Sequence, residues 1–271
     1  MPERAVFVAV RIPAWFINRM CLILFAYRVH SRYELVLAAN RDEYYSRPTA
    51  PLGFWDEAPD LLAGQDLVAG GTWLGVTRDG RFAAITNYRN HTPVCPDAPS
   101  RGPLVSTYLK GREPAWDYLQ RLLPRAADYN GFNLLLGDSS ALFYYSNRGG
   151  DPQLLEPGVY GLSNHLLNTP WPKVERGRQG LATVLDRNAE PDTAALLSLL
   201  QNRQQAPDEA LPDTGIGLEL ERAYSPLFIE SADYGTRSST ILQVSRQGQV
   251  TILEKTWDDG SLREFCLQWP A

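Results

Sequence analysis

Cysteine is scarce in this sequence: Cys21, Cys95 and Cys266 are all that occur among 271 residues. An odd, widely spaced set builds no disulfide framework, so a reducing compartment is implied and a cytoplasmic location is expected. Positive charge is also short. Lys and Arg total 26 against 31 Asp and Glu, a formal net charge of −5. That leaves no basic field to hold a phosphate backbone, so nucleic acid is excluded as the expected partner. No apolar run approaches the ~18 residues of a membrane helix, so no membrane insertion is expected. Three histidines, His30, His91 and His165, stand without carboxylates or cysteines at ligand spacing, and no metal site is expected. There is no G-x-x-x-x-G-K-[ST] loop and no G-x-S-x-G elbow. Gly215-Ile216-Gly217 lacks both a third glycine and a preceding strand. Nucleotide-binding and serine-hydrolase motifs are therefore missing.

What is present is an ordinary globular composition, 44% hydrophobic and 21% charged, rich in aromatics and in turn-forming Pro and Gly. Strands are expected over Cys21 to Val29 and Glu34 to Ala39, with Asn40-Arg41-Asp42-Glu43 closing the second as a polar turn. Arg47 to Pro59 reads as a Pro-rich loop. The clearest hairpin joins Gly71–Thr77 to Arg81–Thr86 through an Asp79-Gly80 turn. Helices are expected over Pro103–Lys110, Ala115–Leu123, Val174–Leu185 and Asp192–Leu200, the last capped by Asp192-Thr193. A strand pair over Phe132–Leu136 and Ala141–Tyr145 lies between them, and residues 202–220 read as a surface loop. Three strands close the chain near Ser239–Val244, Val250–Trp257 and Leu262–Leu267. Hairpins, then helices, then hairpins argue for an α+β fold of antiparallel sheets with helices packed outside, not for a parallel βαβ array. With no repeat and no compositional break, residues 20–271 form one expected domain behind an extension, 1–19.

The pair Met20-Cys21 stands directly before the apolar run Leu22-Ile23-Leu24-Phe25. A chain starting at Met20 and losing that methionine would carry Cys21 first, placing a thiol and a free α-amine on one residue, a nucleophile and its general base. The competing reading is a buried strand cysteine. Further polar clusters fall at expected strand ends: Gly70-Gly71-Thr72-Trp73-Leu74-Gly75, Thr86-Asn87-Tyr88-Arg89, Tyr129-Asn130-Gly131-Phe132-Asn133, Gly161-Leu162-Ser163-Asn164, Trp171-Pro172-Lys173 and Tyr234-Gly235-Thr236-Arg237-Ser238-Ser239-Thr240.

Taken in order with Asn40-Arg41-Asp42-Glu43, Arg47-Pro48-Thr49 and Ser100-Arg101-Gly102, these clusters resemble the NRDE family, also called the transport and Golgi organisation protein 2 family, from Met20 to about Phe265. Members begin with Met-Cys, so the resemblance implies Met20 as the start and Met1 to Arg19 as a nonessential extension. The family is in turn similar in layout to N-terminal-nucleophile hydrolases of the choloylglycine hydrolase and penicillin V acylase type. That implies an αββα sandwich, two stacked, mainly antiparallel sheets flanked by helices.

The resemblance implies Cys21 as nucleophile, Asp42 holding the α-amine or a guanidinium, Asn87 and Asn164 around an oxyanion, and Arg237 on a late strand. On the substrate side it offers Asn40, Arg41, Glu43, Trp73 and Arg89. In the acylases two residues separate the Arg and Asp, whereas Arg41 and Asp42 are adjacent here. Glu43 and Asn40 are thus alternatives for one of those places. Chemically, an α-amine with a reference pKa of about 7.7–8.0 accepts a proton near neutrality. Arg41 or Arg237 is expected to acidify the thiol. The implied activity is hydrolysis of a non-peptide linear amide (C–N) bond of a small-molecule acyl-amide substrate, with no cofactor required. The alternative is a non-catalytic small-molecule binding or trafficking protein, for which the resemblance implies haem as a ligand. The sequence itself carries no C-x-x-C-H signature for haem.

Overall fold

The computed structural model describes residues 20–187 and 190–270. The extension 1–19, expected as a loosely held arm, lies outside them.

The chain opens with strands β1 (Cys21–Tyr27) and β2 (Tyr33–Tyr44), followed by β3 (Thr49–Trp55), β4 (Ala58–Asp66), β5 (Leu74–Thr77) and β6 (Phe82–Asn87). Helices α1 (Gly102–Lys110) and α2 (Ala115–Leu122) precede β7 (Phe132–Gly137), β8 (Leu142–Ser146), β9 (Gln153–Leu154) and β10 (Gly158–Leu162). Helices α3 (Pro172–Arg187), α4 (Thr193–Leu200) and α5 (Leu218–Ala223) lead to β11 (Tyr234–Ser245), β12 (Gln249–Thr256) and β13 (Leu262–Gln268). One sheet runs β10-β1-β2-β11-β12-β13 and the other β3-β4-β5-β6-β7-β8-β9, with antiparallel pairing throughout.

Side-chain alternation along each strand sorts the apolar residues into layers. Ile23, Phe25, Leu37, Leu242 and Ile252 of the first sheet meet Leu62, Val76, Phe82, Leu135 and Tyr144 of the second in a central core. The opposite faces are covered by helices. Leu22, Leu24, Val36 and Ala38 pack under Val174 and Leu181 of α3 and Leu196 and Leu200 of α4. Leu61, Ala83, Leu134 and Leu136 pack under Val105, Tyr108 and Leu119 of α1 and α2. Each buried Val, Leu, Ile or Phe side chain among them contributes ~1.5–3 kcal/mol by leaving water. The result is the expected αββα sandwich.

Three expectations need correction. Asn40-Arg41-Asp42-Glu43 is not a solvated turn: β2 continues through it, paired with β11 as far as Tyr44↔Tyr234, and all four residues are buried. Arg47 to Pro59 is not a loop but most of the β3–β4 hairpin. Pro51 is tolerated there because the ladder shifts register between Ala50 and Gly53, an irregularity where a missing N–H costs little. Residues 202–220 include the start of α5. The β5–β6 turn has the geometry that Asp79-Gly80 suggests, with Gly80 at φ 94°. Asp192 caps α4 by accepting from the Ala194 N–H.

Candidate active site

The first sheet's β1 begins, and its β2 and β10 end, at the same edge of the sandwich where β6 of the second sheet ends. This common edge is stitched by hydrogen bonds between the layers. Thr86 donates to the Ser163 carbonyl at 2.6 Å, Asn164 Nδ2 donates to the Asn87 carbonyl at 2.9 Å, and the Ser163 hydroxyl donates to the Cys21 carbonyl at 3.0 Å. Between the sheets a cleft of about 330 Å³ opens, bordered by Cys21, Arg41, Asp42, Glu43, Trp73 and Asn87. Arg47, Asp66, Arg101 and Asn130 complete its polar rim, and Cys95 stands on the facing loop. Arg101 reaches the cleft because α1 starts tight against Gly71. A Cβ on that glycine would lie 2.4 Å from the Gly102 carbonyl carbon.

Strand alternation decides which way each residue of the Asn40–Glu43 run points. Cys21 pairs with Arg41, so both side chains face inward. The Arg41 guanidinium lies 4.2 Å over the Trp73 ring and 3.6 Å from Glu43. Glu43 in turn pairs with Arg47, and Arg47 forms a two-pronged pair with Asp66. Asn40 and Asp42 point to the outer face. Asn40 is spent on structure: its Nδ2 donates to the carbonyls of Leu200 and Leu227, holding the helix layer, and its Oδ1 accepts from Ser239.

Asp42 Oδ1 accepts from Thr236 at 2.6 Å, while Oδ2 is buried with no hydrogen-bond partner among the described residues. Over it sits Met20, fully buried against Tyr224, Ile229 and Tyr234. The Met20 N–H donates to the Tyr234 hydroxyl and its carbonyl accepts from the Asp42 N–H at 3.1 Å. Lys173, in the first turn of α3, is 3% exposed and donates to the Tyr224 carbonyl at 3.2 Å. Burial pushes the Asp42 carboxyl above and the Lys173 ammonium below their ordinary ranges, and each charge opposes the other's shift.

With Met20 attached, burial raises the Cys21 thiol to about 12, reinforced by the Asp42 charge. The Arg41 guanidinium and the Asp42 backbone N–H pull the other way and do not prevail. Arg237 takes no part in this balance. It is the extra residue of a bulge, since Thr236 pairs with Asp42 and Ser238 already with Arg41. Its guanidinium donates to the Tyr44 and Arg47 carbonyls and to Asp258. Arg89 likewise stands away from the cleft lining, 2% exposed, bonded to Glu221 at 2.8 Å and lying over Trp171. Asn164, with no exposed surface, is behind the wall and fixes Asn87 through its carbonyl.

Of Cys21, Asn87, Asn164 and Arg237, the first two therefore border the cleft, with Arg41 and Asp42 beside them. Arg47, Arg101 and Lys173 stood inside quoted sequence clusters without an assigned role. Asp66 had no sequence signal at all, since its place depends on the β3–β4 hairpin. Among the described residues, no group of three His, Cys, Asp or Glu side chains could hold a metal ion. No described helix is long and apolar enough to cross a membrane.

The family profile described as Transport and Golgi organisation 2 matches residues 20–259. The chain is 38% identical to the Transport and Golgi organization 2 homolog of Mus musculus, over 92% of this chain and 100% of that one. It is 29% identical to the Transport and Golgi organization protein 2 of Drosophila melanogaster, over 88% of this chain and 92% of that one. Among solved structures it is similar to penicillin V acylase from Agrobacterium tumefaciens, at 12% identity and a TM-score of 0.49, covering 92% of this chain and 86% of that one. It is also similar to a mutant conjugated bile acid hydrolase from Clostridium perfringens, at 8% identity and a TM-score of 0.48, covering 91% of this chain and 92% of that one.

Proposed function

This chain belongs to the Transport and Golgi organisation 2 family, and from that premise we propose that it is an N-terminal cysteine amidohydrolase. Its substrate is a small molecule with a linear, non-peptide amide bond. The observation that carries this reading is the placement of Cys21 at the first position of β1, on the wall of a polar cleft that Asp42 and Asn87 also border.

The reacting form is one in which Cys21 carries a free α-amine. The amine takes the Sγ proton as Sγ attacks the amide carbonyl carbon, forming a C–S bond and an oxyanion. Asn87 Nδ2 donates to that oxyanion, and Asn164 holds Asn87 in register through the Asn87 carbonyl. Collapse breaks the C–N bond, and the departing nitrogen takes the proton from the α-ammonium. Water then attacks the thioester with the amine again as base, releasing a carboxylic acid and restoring the thiol. Asp42 receives the α-amine by a charge-assisted hydrogen bond. Arg41, Arg47 and Arg101 border the cleft and are matched by Asp42, Glu43 and Asp66, which favours a polar substrate without selecting one sign of charge.

Haem does not fit this cleft as an axially ligated group. No histidine lines it among the described residues, burial holds the Cys21 thiol protonated with Met20 attached, and the other cysteine of the lining, Cys95, stands on an exposed loop. The test is a chain confirmed by mass to begin at Cys21, offered acyl-amides with and without a carboxylate. Turnover with an acyl group trapped on Cys21 is the expected result. Binding without acylation or turnover across the panel would sink the enzyme reading and leave a binding protein.

A further inference from the structure

We infer that Lys173 is a positioning residue for the Cys21 α-amine: its ammonium is the countercharge that holds the buried Asp42 carboxylate ready to receive that amine. The inference rests on the N-terminal-nucleophile reading and adds to it a residue from a different layer of the fold. Helix α3 is pressed onto β1 so closely that a Cβ on Gly177 would meet Leu24 Cδ2 at 2.6 Å. This contact anchors the helix whose first turn carries Lys173. The lysine is 3% exposed, and among the described residues its Nζ makes one hydrogen bond, to the Tyr224 carbonyl at 3.2 Å. An ammonium has three protons to donate. A buried lysine this poorly satisfied is costly, and only a nearby anion offsets such a cost.

That anion is Asp42. Its Oδ2 is buried and lacks a hydrogen-bond partner among the described residues, although Oδ1 accepts from Thr236. The two groups flank one residue: Met20 packs against Tyr224, whose carbonyl accepts from the lysine, and the Met20 carbonyl accepts from the Asp42 N–H at 3.1 Å. Met20 fills the space beside them, its N–H on the Tyr234 hydroxyl and its side chain against Tyr224 and Tyr234. When Met20 is gone, the new terminus borders this space, and Oδ2 is the acceptor already in place. Without Lys173, burial would drive the Asp42 carboxyl to its neutral form. It would then present a proton to the amine's lone pair, the same pair that must take the thiol proton. The other ionisable groups facing this pair are Arg41 and Glu43 on β2, Cys21 on β1, Tyr234 on β11, Arg89 after β6, Glu221 on α5, and Tyr224.

The experiment uses the chain beginning at Cys21 and follows the rate of Cys21 alkylation by iodoacetamide against pH, read by mass. Lys173→Met should move the acid limb of that profile to higher pH by about one unit or more, a tenfold loss at fixed pH on the limb. In an Asp42→Asn background the same substitution should leave the profile where it is, because the carboxyl it acts through is gone. A folded Lys173→Met protein with an unmoved profile overturns the inference. Should that variant fail to fold, the parent chain decides. The ¹³C NMR signal of the Lys173 ε-carbon should show, besides the lysine's own titration, a second step at lower pH that vanishes in Asp42→Asn, and a profile carrying the lysine's own step alone overturns the inference. Failure of the underlying reading looks different: the parent chain beginning at Cys21 would alkylate no faster than full-length protein, whatever stands at residue 173.

Discussion

The two ends of the sandwich are made from the same strands and closed in opposite ways. At the end where β1 finishes, Tyr27, Leu35, Phe82, Leu142, Val244 and Trp269 surround an apolar hollow of about 260 Å³. The charges that line it, Glu34, Asp138 and Arg246, are none of them buried, and the side chains of Arg246 and Glu34 are 41% and 25% exposed. At the end where β1 starts, Arg41, Asp42, Glu43, Arg89, Lys173 and Glu221 are all no more than 6% exposed. Three cations and three anions are thus held where apolar residues would close the fold at less cost. Burying an ion costs several kcal/mol even after relaxation, and pairing often does no better than break even against a well-packed apolar core. Among the described residues, the hollow at the apolar end is lined without a buried charge, and the one buried ion next to it, Arg81, lies behind that lining and donates to the Tyr108 and Glu113 carbonyls. On the proposed reading the charges at the cleft end serve chemistry, with Cys21 as its nucleophile.

The sharpest test of this contrast is the Cys21 nitrogen itself. In full-length protein it is an amide, which cannot serve as a base, and the thiol is raised to about 12. Alkylation of Cys21 should then climb about tenfold per pH unit throughout the neutral and mildly alkaline range, following the thiolate fraction. The exposed Cys95 and Cys266 should react first. A chain beginning at Cys21 should gain about 10²–10⁴-fold in Cys21 reactivity near neutrality, the usual contribution of a placed general base. Cys21→Ser should abolish amide turnover, whereas Cys266→Ser should not. Equal rates from the two mass-verified forms would remove the α-amine from the mechanism. Next in size is Asn87→Ala, expected to lower kcat by about 10²–10³-fold as an oxyanion donor is lost. Its melting temperature should stay near that of the parent, and a rise in KM at unchanged kcat would place Asn87 in substrate binding only.

The sequence revealed what is local and concealed what depends on partners far along the chain. The Asp79-Gly80 hairpin and the Asp192 cap are set within a few residues, and both stand as expected. The Asn40–Glu43 run is different. Four polar residues after an apolar strand describe a turn unless another strand is waiting, and β11, nearly 200 positions later, supplies it. Once β2 is seen to continue, period-two alternation sends Asn40 to the helix layer and Arg41 to the cleft, a distinction the resemblance had left open. Arg237 was misplaced for a related reason. Its motif located it on the right strand, but a one-residue bulge turns it toward Asp258. Lys173 is visible only as part of Trp171-Pro172-Lys173, because neither its burial nor its bond to the Tyr224 carbonyl can be read from spacing.

If the buried charges serve chemistry, removing a matched pair should spare the fold. The double variant Asp42→Asn/Lys173→Met exchanges an anion and a cation for neutral side chains of similar size. It should melt at or above the parent, by anything up to ~4 kcal/mol. Acylation of Cys21 should be lost at the same time. A double variant that is markedly less stable would show the pair to be structural and would erase the contrast between the two ends.

The smallest expected effect belongs to the apolar end and is the control for all the others. Trp269 is 7% exposed, and its indole N–H donates to the Thr77 carbonyl at 2.8 Å, tying the segment after β13 to the end of β5. Trp269→Phe removes that donor and leaves a small void. The Thr77 carbonyl is not stranded, because the Gly80 N–H also reaches it at 3.3 Å. The penalty should therefore be that of one ordinary hydrogen bond plus slight underpacking, ~1–2 kcal/mol. Calorimetry should show a fall of a few degrees in Tm, about 2–4 °C for each kcal/mol in a chain of this size class. Nothing in the change reaches the cleft: Trp269 sits beside Tyr27, at the far end of the strand that begins with Cys21. The Cys21 alkylation rate and kcat/KM should match the parent at temperatures well below the melt. A loss of reactivity larger than the loss of stability would mean that the apolar end controls the cleft, and the division of labour between the two ends would fail.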